Sequence, residues 1–569
     1  MIAANRENDT SLLLPVVDSL LAEQQQLTAV ERFSQRHASA SAPAMAELYR
    51  DLIPLSKPQP GEQYAFEVDL DACSGCKACV AACHNLNGLE EHETWRNVGV
   101  LYGGTDSDPF MQHVTTACHH CLDPACLSGC PVKAYDKDPE TGIVRHLDDQ
   151  CIGCQYCVFM CPYDVPQYSK AKGIVRKCDM CHDRLAVGEA PACVQSCPNH
   201  AIRIRTVSVE AAAEQCEAGQ FLPTAPDPGV TLPTTTYKSR RPMPRNLLPA
   251  DYYSATPLHS HLALVVMLVL TQLSVGAFVV AQVLVWGPWA DPLLQSAIRP
   301  VYATVGVILG LVGMNAAVLH LGRPLYAYRA LLGLRTSWLS REILAFGVFG
   351  GLAMAQAVTV WLAIGQPSWN PVVDALGIAT CVAGVAAVIC SIMIYARTGR
   401  PFWSLHRTGT KFLLSCAVLG LPIALLVSLA ASVWRTDLTA PEVMQQYGQQ
   451  LCSWIIVVTA AKLLFESAVF TELRRRQFTP MKRTAVLLAD NLGQTTMLRY
   501  FFGIVGGLLL PAILLSERAT LDGTAGFHPL FLCTIVFLIF ATLLIGEFLE
   551  RTLFFAASAS AKMPGAASA

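Results

Sequence analysis

Read for polarity alone, the chain changes character once. From about His259 onward, long apolar runs follow one another with short polar connections, whereas before it charge and proline are distributed as in a water-facing domain. A helix needs roughly 20 apolar residues to cross a hydrocarbon core about 30 Å thick. Eight such runs occur, at 262–286, 300–320, 342–364, 374–395, 411–433, 450–470, 498–516 and 527–548. Eight in succession predict an all-α transmembrane bundle and not the buried helices of a soluble protein. The boundary falls in TLPTTTYKSRRPMPRNLLPADYYS, residues 231–254, whose proline, threonine and basic residues read as a linker entering a membrane. Near the start, Leu20, Leu21, Leu27, Val30 and Phe33 recur at helical spacing and predict an amphipathic helix that packs on the following domain or on a partner.

The expected organisation is a helical extension over 1–60, a cysteine-rich domain over 61–215, a linker over 216–258, the eight-helix unit over 259–556 and a tail over 557–569. The basic residues orient the helices. Lys238, Arg240, Arg241 and Arg245 precede the first run, and Arg323, Arg329, Arg335 and Arg341 follow the second. Arg397, Arg400, Arg407 and Lys411 follow the fourth, and Arg474, Arg475, Arg476, Lys482, Arg483 and Arg499 follow the sixth. The alternate connections hold only Arg299, Arg435 and Arg518. Both ends of the membrane unit, and the cysteine domain with them, are therefore expected on the cytoplasmic face of a bacterial inner membrane. The N-terminus offers no basic start with a long apolar core and no twin arginine, so export is not expected.

Composition adds two constraints. At 569 residues two or more domains are expected, and a net charge of -2 argues against a nucleic-acid partner. Sixteen of the 22 cysteines lie between Cys73 and Cys197. They form four groups: Cys73, Cys76, Cys79, Cys83; Cys118, Cys121, Cys126, Cys130; Cys151, Cys154, Cys157, Cys161; and Cys178, Cys181, Cys193, Cys197.

Disulfides do not suit a reducing compartment. Structural zinc uses paired C-x-x-C units or mixed Cys and His, and has no use for the rhythm C-x-x-C-x-x-C. A [4Fe–4S] cubane does, because one loop wraps three corners and a fourth thiolate crosses to a second cluster. This cross-reach pairs the first group with the last and the second with the third. Four [4Fe–4S] clusters would then be held by Cys73, Cys76, Cys79 and Cys197; by Cys178, Cys181, Cys193 and Cys83; by Cys118, Cys121, Cys126 and Cys161; and by Cys151, Cys154, Cys157 and Cys130. His84 replaces the proline that follows the other closing cysteines. No phosphate-binding loop, nucleophile elbow or dinucleotide glycine pattern accompanies them. The expected fold is an α+β ferredoxin-like iron–sulfur domain of two bacterial-ferredoxin-like units, fused to the helical bundle.

Over residues 64–206 the cysteine domain resembles the four-cluster electron-transfer subunits of molybdopterin oxidoreductases of the dimethyl sulfoxide reductase type. The bundle resembles the eight-helix anchor subunit of the same enzymes, most visibly in LHLGRPLYAYRALLGLRTSWLSREI, residues 319–343. The resemblance implies oxidation of menaquinol or ubiquinol from the quinone pool and transfer to a molybdopterin-containing catalytic subunit, as in anaerobic respiration. It also maps the quinol-site residues onto His320 and Glu342. In the family these units are usually separate chains. Their fusion here makes a cytoplasmic catalytic partner the expectation.

A quinol loses two protons with its two electrons, so a base near the cluster side of the bilayer fits the same assignment. Capping for His320 and pairing of Glu342 with Arg341 or Arg323 are the competing structural readings. Lys462 and Glu466, four apart on one helix face, read as a neutralising pair or as part of a proton or quinone path. Glu547 and Glu550, beside Arg551, read as interfacial, and the cysteines of the helices as small packing residues. Reverse flow from a cytoplasmic dehydrogenase, an ion-translocating module and a purely structural anchor remain the alternatives.

Overall fold

The computed structural model describes residues 14–26, 28–39, 45–287, 292–434, 440–516, 529–560 and 562–565. Arg435 and Arg518 of the charge count lie outside the described residues, as do residues 1–13 and 566–569 of the expected extension and tail.

In the water-facing half, apolar alternation and turn residues yield short strands around the cysteine loops. Strand β1 (Glu62–Asp69) pairs antiparallel with β8 (Ile202–Ser208), Phe66 opposite Ile204, and parallel with β9 (Thr236–Lys238). A second sheet runs β10 (Leu248–Pro249), β2 (Asn97–Thr105), β3 (Asp108–Thr116). Two hairpins, β4 (Tyr135–Lys137) with β5 (Val144–His146) and β6 (Gln167–Ser169) with β7 (Ile174–Arg176), carry the middle cysteine loops. One core gathers Tyr49, Leu52, Phe66, Ile143, Ile202 and Ile204 against Cys79, Cys118, Cys178 and Cys193.

The stretch expected as a linker is part of this domain. Strand β9 extends the first sheet and β10 the second, while Leu222 and Leu247 are buried beside Val68, Leu101 and Cys121. Proline and threonine mark it as irregular, but main-chain pairing and two buried leucines give it a fixed seat. The expected tail is similarly engaged. Met563 enters the same core, Gly565 O accepts from Val100 N at 3.2 Å, and Lys562 Nζ stands 2.6 Å from Asp251. The chain thus leaves the last membrane helix and returns to the first domain. At the N-terminal end, Val16, Val17, Leu20 and Leu21 of the helix Leu14–Gln25 are 47–55% exposed, so packing on the cysteine domain does not cover them.

Among the described residues eight helices are long and apolar enough to cross a membrane: Leu262–Trp286, Ile298–Val318, Trp338–Leu362, Pro367–Ala396, Leu405–Ala431, Gln449–Arg474, Gly493–Ser516 and Phe531–Ala556. The first and fifth are the most enclosed. Side chains such as Ile308, Val348, Val382 and Val457 remain exposed around the rim, as expected of a surface whose solvent is lipid.

Candidate functional site

Each cysteine group opens with a C-x-x-C whose third position is forced into the left-handed region: Gly75 (φ 74°), His120 (φ 43°), Gly153 (φ 71°) and Met180 (φ 61°). Glycine takes that conformation without strain, and His120 and Met180 are held there by burial. The tight turn aims main-chain N–H groups at sulfur: Gly153 N lies 3.4 Å from Cys151 Sγ and Met180 N 3.4 Å from Cys178 Sγ. The segments after the closing cysteines do the same, with Ala134 N 3.2 Å from Cys130 Sγ and Ala201 N 3.3 Å from Cys197 Sγ. Such donors favour anionic sulfur.

The fold draws the sixteen thiols into four sets that cross between motifs. Cys73 is within electrostatic reach of Cys76, Cys79 and Cys197, and Cys181 of Cys193 and Cys83. Cys161 meets Cys121 and Cys126, and Cys157 meets Cys130, Cys151 and Cys154. Cys118, Cys121, Cys126 and Cys161 line one cavity. Cys83, Cys178, Cys181 and Cys193 line another.

The residues fit a cubane better than a single ion. Among the described residues no three Cys, His, Asp or Glu side chains converge tightly enough to hold one metal ion. The thiols stand apart around a cavity instead. The fully buried Arg96, whose Nη2 has no hydrogen-bond partner, points to an anionic group in the same space.

The sets follow one another. Nearest the helices is the membrane-proximal set of Cys130, Cys151, Cys154 and Cys157, and Tyr135 lies between it and Cys126 of the second set, Cys118, Cys121, Cys126 and Cys161. Cys118 meets Cys178 of the third set, Cys83, Cys178, Cys181 and Cys193. Cys193 meets Cys79 of the outer set, Cys73, Cys76, Cys79 and Cys197, where Cys76 is exposed to solvent. Burial alone would lower the Lys177 ammonium, but the charges of Cys118, Cys126 and Cys178 raise it overall.

The membrane-proximal set is docked on the connection 319–341. Arg323 N donates to Ile152 O at 3.1 Å, Arg323 Nη1 to Asp148 O at 2.8 Å, Arg329 Nη1 to Asp149 O at 2.9 Å and Ser337 Oγ to Gly129 O at 2.7 Å. A Cβ on Gly322 of the LHLG stretch would lie 2.1 Å from Gly173 O, so only glycine permits this main-chain approach.

His320, in the turn after the second membrane helix, and Glu342, in the third, reach the same loop, 151–157. His320 Nε2–H donates to Cys154 O at 3.3 Å, and its ring packs edge-on against His261, centroids 4.6 Å apart. Burial pulls the His320 imidazole below its usual range, against the donation to Cys154, and burial followed by the neighbouring His320 and His259 pulls His261 down to about 4. Glu342 is buried and accepts from Ser391 Oγ. It lies within electrostatic reach of Tyr156. Neither expected arginine pairs with it: Arg323 binds the cysteine domain, and Arg341 donates to Leu334 O and Arg335 O. No hydrogen bond joins His320 to Glu342 among the described residues. His261, Phe159 and Trp403 complete this interface, with ring centroids of Phe159 and Trp403 5.3 Å apart. His261 stood beside the first apolar run, but no spacing tied it to His320.

The helices also bury an ionic lattice. Glu547 accepts from Lys462 Nζ, from Ser415 Oγ at 2.7 Å and from Arg499 Nη2 at 3.0 Å. Arg499 clamps Glu466 at 3.0 and 3.1 Å, Arg551 reaches Glu550 at 3.0 Å and Lys411 reaches Glu550 at 3.3 Å. Glu547 and Glu550 are 0% and 3% exposed, so the interfacial reading is overturned. They face cations from the fifth, sixth and seventh helices, which neighbours in the chain do not reveal. Lys462 and Glu466 stand 3.8 Å apart, but their shorter contacts are to other helices.

A multi-pass membrane protein carrying an iron–sulfur electron-transfer domain is the class that this architecture defines. Residues 109–207 match the 4Fe-4S dicluster domain model, and 257–557, more than half of the chain, match the DMSO reductase anchor subunit (DmsC) model. The B subunit of the anaerobic dimethyl sulfoxide reductase of Escherichia coli K12 is 40% identical over 148 residues, 25% of this chain and 72% of that protein. The hydrogenase-2 operon protein HybA of E. coli O157:H7 is 37% identical over 160 residues, 24% of this chain and 49% of that one. The iron–sulfur subunit of formate dehydrogenase-O of E. coli K12 is 35% identical over 162 residues, 26% and 54% of the two chains. The protein belongs to the DMSO reductase anchor subunit family, with a [4Fe–4S] domain similar to the reductase's B subunit on the same polypeptide, and is a membrane electron-transfer subunit.

Proposed function

We propose that this protein takes electrons from quinol in a bacterial inner membrane and delivers them through four [4Fe–4S] clusters to a separate molybdopterin-containing reductase in the cytoplasm. The observation that carries the reading is the bond from His320 to the carbonyl of Cys154, which joins the membrane helices to a cluster loop. At the far end, the exposed Cys76 marks the exit. Bound in the four thiol sets, the clusters supply one-electron transfer over short steps. The chain's own residues do the rest. Donation from Nε2 leaves Nδ1 of His320 as the lone pair that accepts a quinol proton. Glu342, oriented by Ser391, takes the second. The ring cluster of His261, Phe159 and Trp403 excludes water from the junction. The basic connections on the cluster side support the cytoplasmic orientation.

In membrane vesicles, His320→Ala is expected to slow cluster reduction by a short-chain quinol at least tenfold while all cluster signals in electron paramagnetic resonance persist. Unchanged reduction places the quinol elsewhere. Menaquinol and ubiquinol analogues compared on the same vesicles identify the physiological donor.

A further inference from the structure

Two buried cations stand between the thiol sets, and neither forms a salt bridge with a carboxylate among the described residues. Lys177 is 2% exposed, and its Nζ lies 3.7 Å from Cys118 Sγ of the second set. It donates to the carbonyls of Val144 and of Cys178, the latter at 2.8 Å, which place it against the third set. Asp179 is also within its electrostatic reach.

Arg96 is 2% exposed, donates from Nη1 to Thr115 Oγ1 at 3.2 Å and lies over the Phe66 ring at 4.6 Å. Its charge faces Cys83, Cys178 and Cys193 of the third set and Cys79 of the outer set. Carbonyls, a hydroxyl and an aromatic face do not repay the desolvation of two cations. An anion in the space they face does. A cubane held by four thiolates is such an anion and becomes more negative by one charge on one-electron reduction, so a fixed cation beside it favours the reduced form.

We propose that Lys177 sets the reduction potentials of the clusters in the second and third sets, and Arg96 those in the third and outer sets. The membrane-proximal cluster has neither. Both residues act through the clusters and touch no substrate, so they are positioning residues for charge. The proposal rests on occupancy of all four sets.

The test is anaerobic redox titration of the purified full-length protein with dithionite and mediator dyes, each cluster gaining one electron with no bond made or broken. Electron paramagnetic resonance follows the signals, assigned by one Cys→Ser change per set. Lys177→Met is expected to move the second and third clusters at least tenfold toward the oxidised state, about 59 mV for one electron, leaving the membrane-proximal and outer clusters in place. Arg96→Met is expected to move the third and outer clusters and spare the other two. Lys177→Arg and Arg96→Lys are expected to restore the native values.

A uniform shift of all four signals, or no shift in the flanking ones, overturns the proposal. If the methionine variants lose iron, the unaltered protein decides. With ¹⁵N-labelled lysine, the second cluster's pulsed resonance spectrum is expected to carry a weak nitrogen coupling, and its absence overturns the assignment of Lys177. Fewer than four clusters in the unaltered protein, measured first as iron and sulfide content, would instead sink the four-cluster reading.

Discussion

Glu547 lies at the centre of the lattice inside the membrane, and replacing it with glutamine isolates what that lattice contributes. Among the described residues the lattice sets four cations, Lys411, Lys462, Arg499 and Arg551, against three carboxylates, Glu466, Glu547 and Glu550, an excess of one positive charge. Glu547→Gln raises the excess to two at a site where Lys462, Glu547 and Arg499 are 0%, 0% and 1% exposed. Removing one partner of a buried pair costs about 3–5 kcal/mol because the other charge stays desolvated. Lys462 falls back on Glu466 at 3.8 Å and Arg499 keeps its two bonds to Glu466, so the loss should fall near the lower bound, about 3 kcal/mol. Adding Lys462→Met returns the excess to one and should recover at least half of that loss. The assay is thermal and dodecyl sulfate unfolding of the purified protein in detergent, followed by tryptophan fluorescence. A Glu547→Gln protein as stable as the native one refutes the reasoning. So does a double variant that loses the sum of the two single losses.

Three further outcomes are expected. Cys126→Ser and Cys161→Ser should each remove, or convert to a three-iron form, the same single cluster signal while the other signals persist; loss of two different signals by the two variants would contradict the crossed partition. Gly322→Ala, whose Cβ would meet Gly173 O at 2.1 Å, should part the cysteine domain from the helices. Quinol-driven cluster reduction would then fall at least tenfold although dithionite still reduces every cluster, and native quinol kinetics would show the contact to be dispensable. Deleting residues 559–569 removes the buried Met563 and the Lys562–Asp251 pair. Burial of a side chain of this size is worth about 1.5–3 kcal/mol, so the β2–β3 sheet should become more open to limited proteolysis, and an unaltered digestion pattern would show that the C-terminal contact with the first domain is dispensable.

Period and spacing determined a large part of this protein by themselves. Eight apolar runs imply eight helices, because a continuous run of about 20 apolar residues fits a spanning helix, which satisfies its own main chain in hydrocarbon, and not the shorter strands of a closed barrel. Cys-x-x-Cys-x-x-Cys implies a cubane loop, because the contact is local and the turn that makes it is written in four residues. Contacts between distant residues were decided only by the tertiary structure. Residues 216–258 read as a linker because proline and threonine carry no periodic signal, yet β9 and β10 find partners about 140 to 170 residues away in the chain. Glu547 looked interfacial because its neighbours in the chain are the end of a helix, while its counter-charges arrive from the sixth and seventh helices. His261 met His320, and Lys177 came to lie between two thiol sets, only once the chain had closed on itself. A sequence displays what lies within a turn or two of each residue; where a charge ends up, and against which counter-charge, is settled by packing across the whole fold.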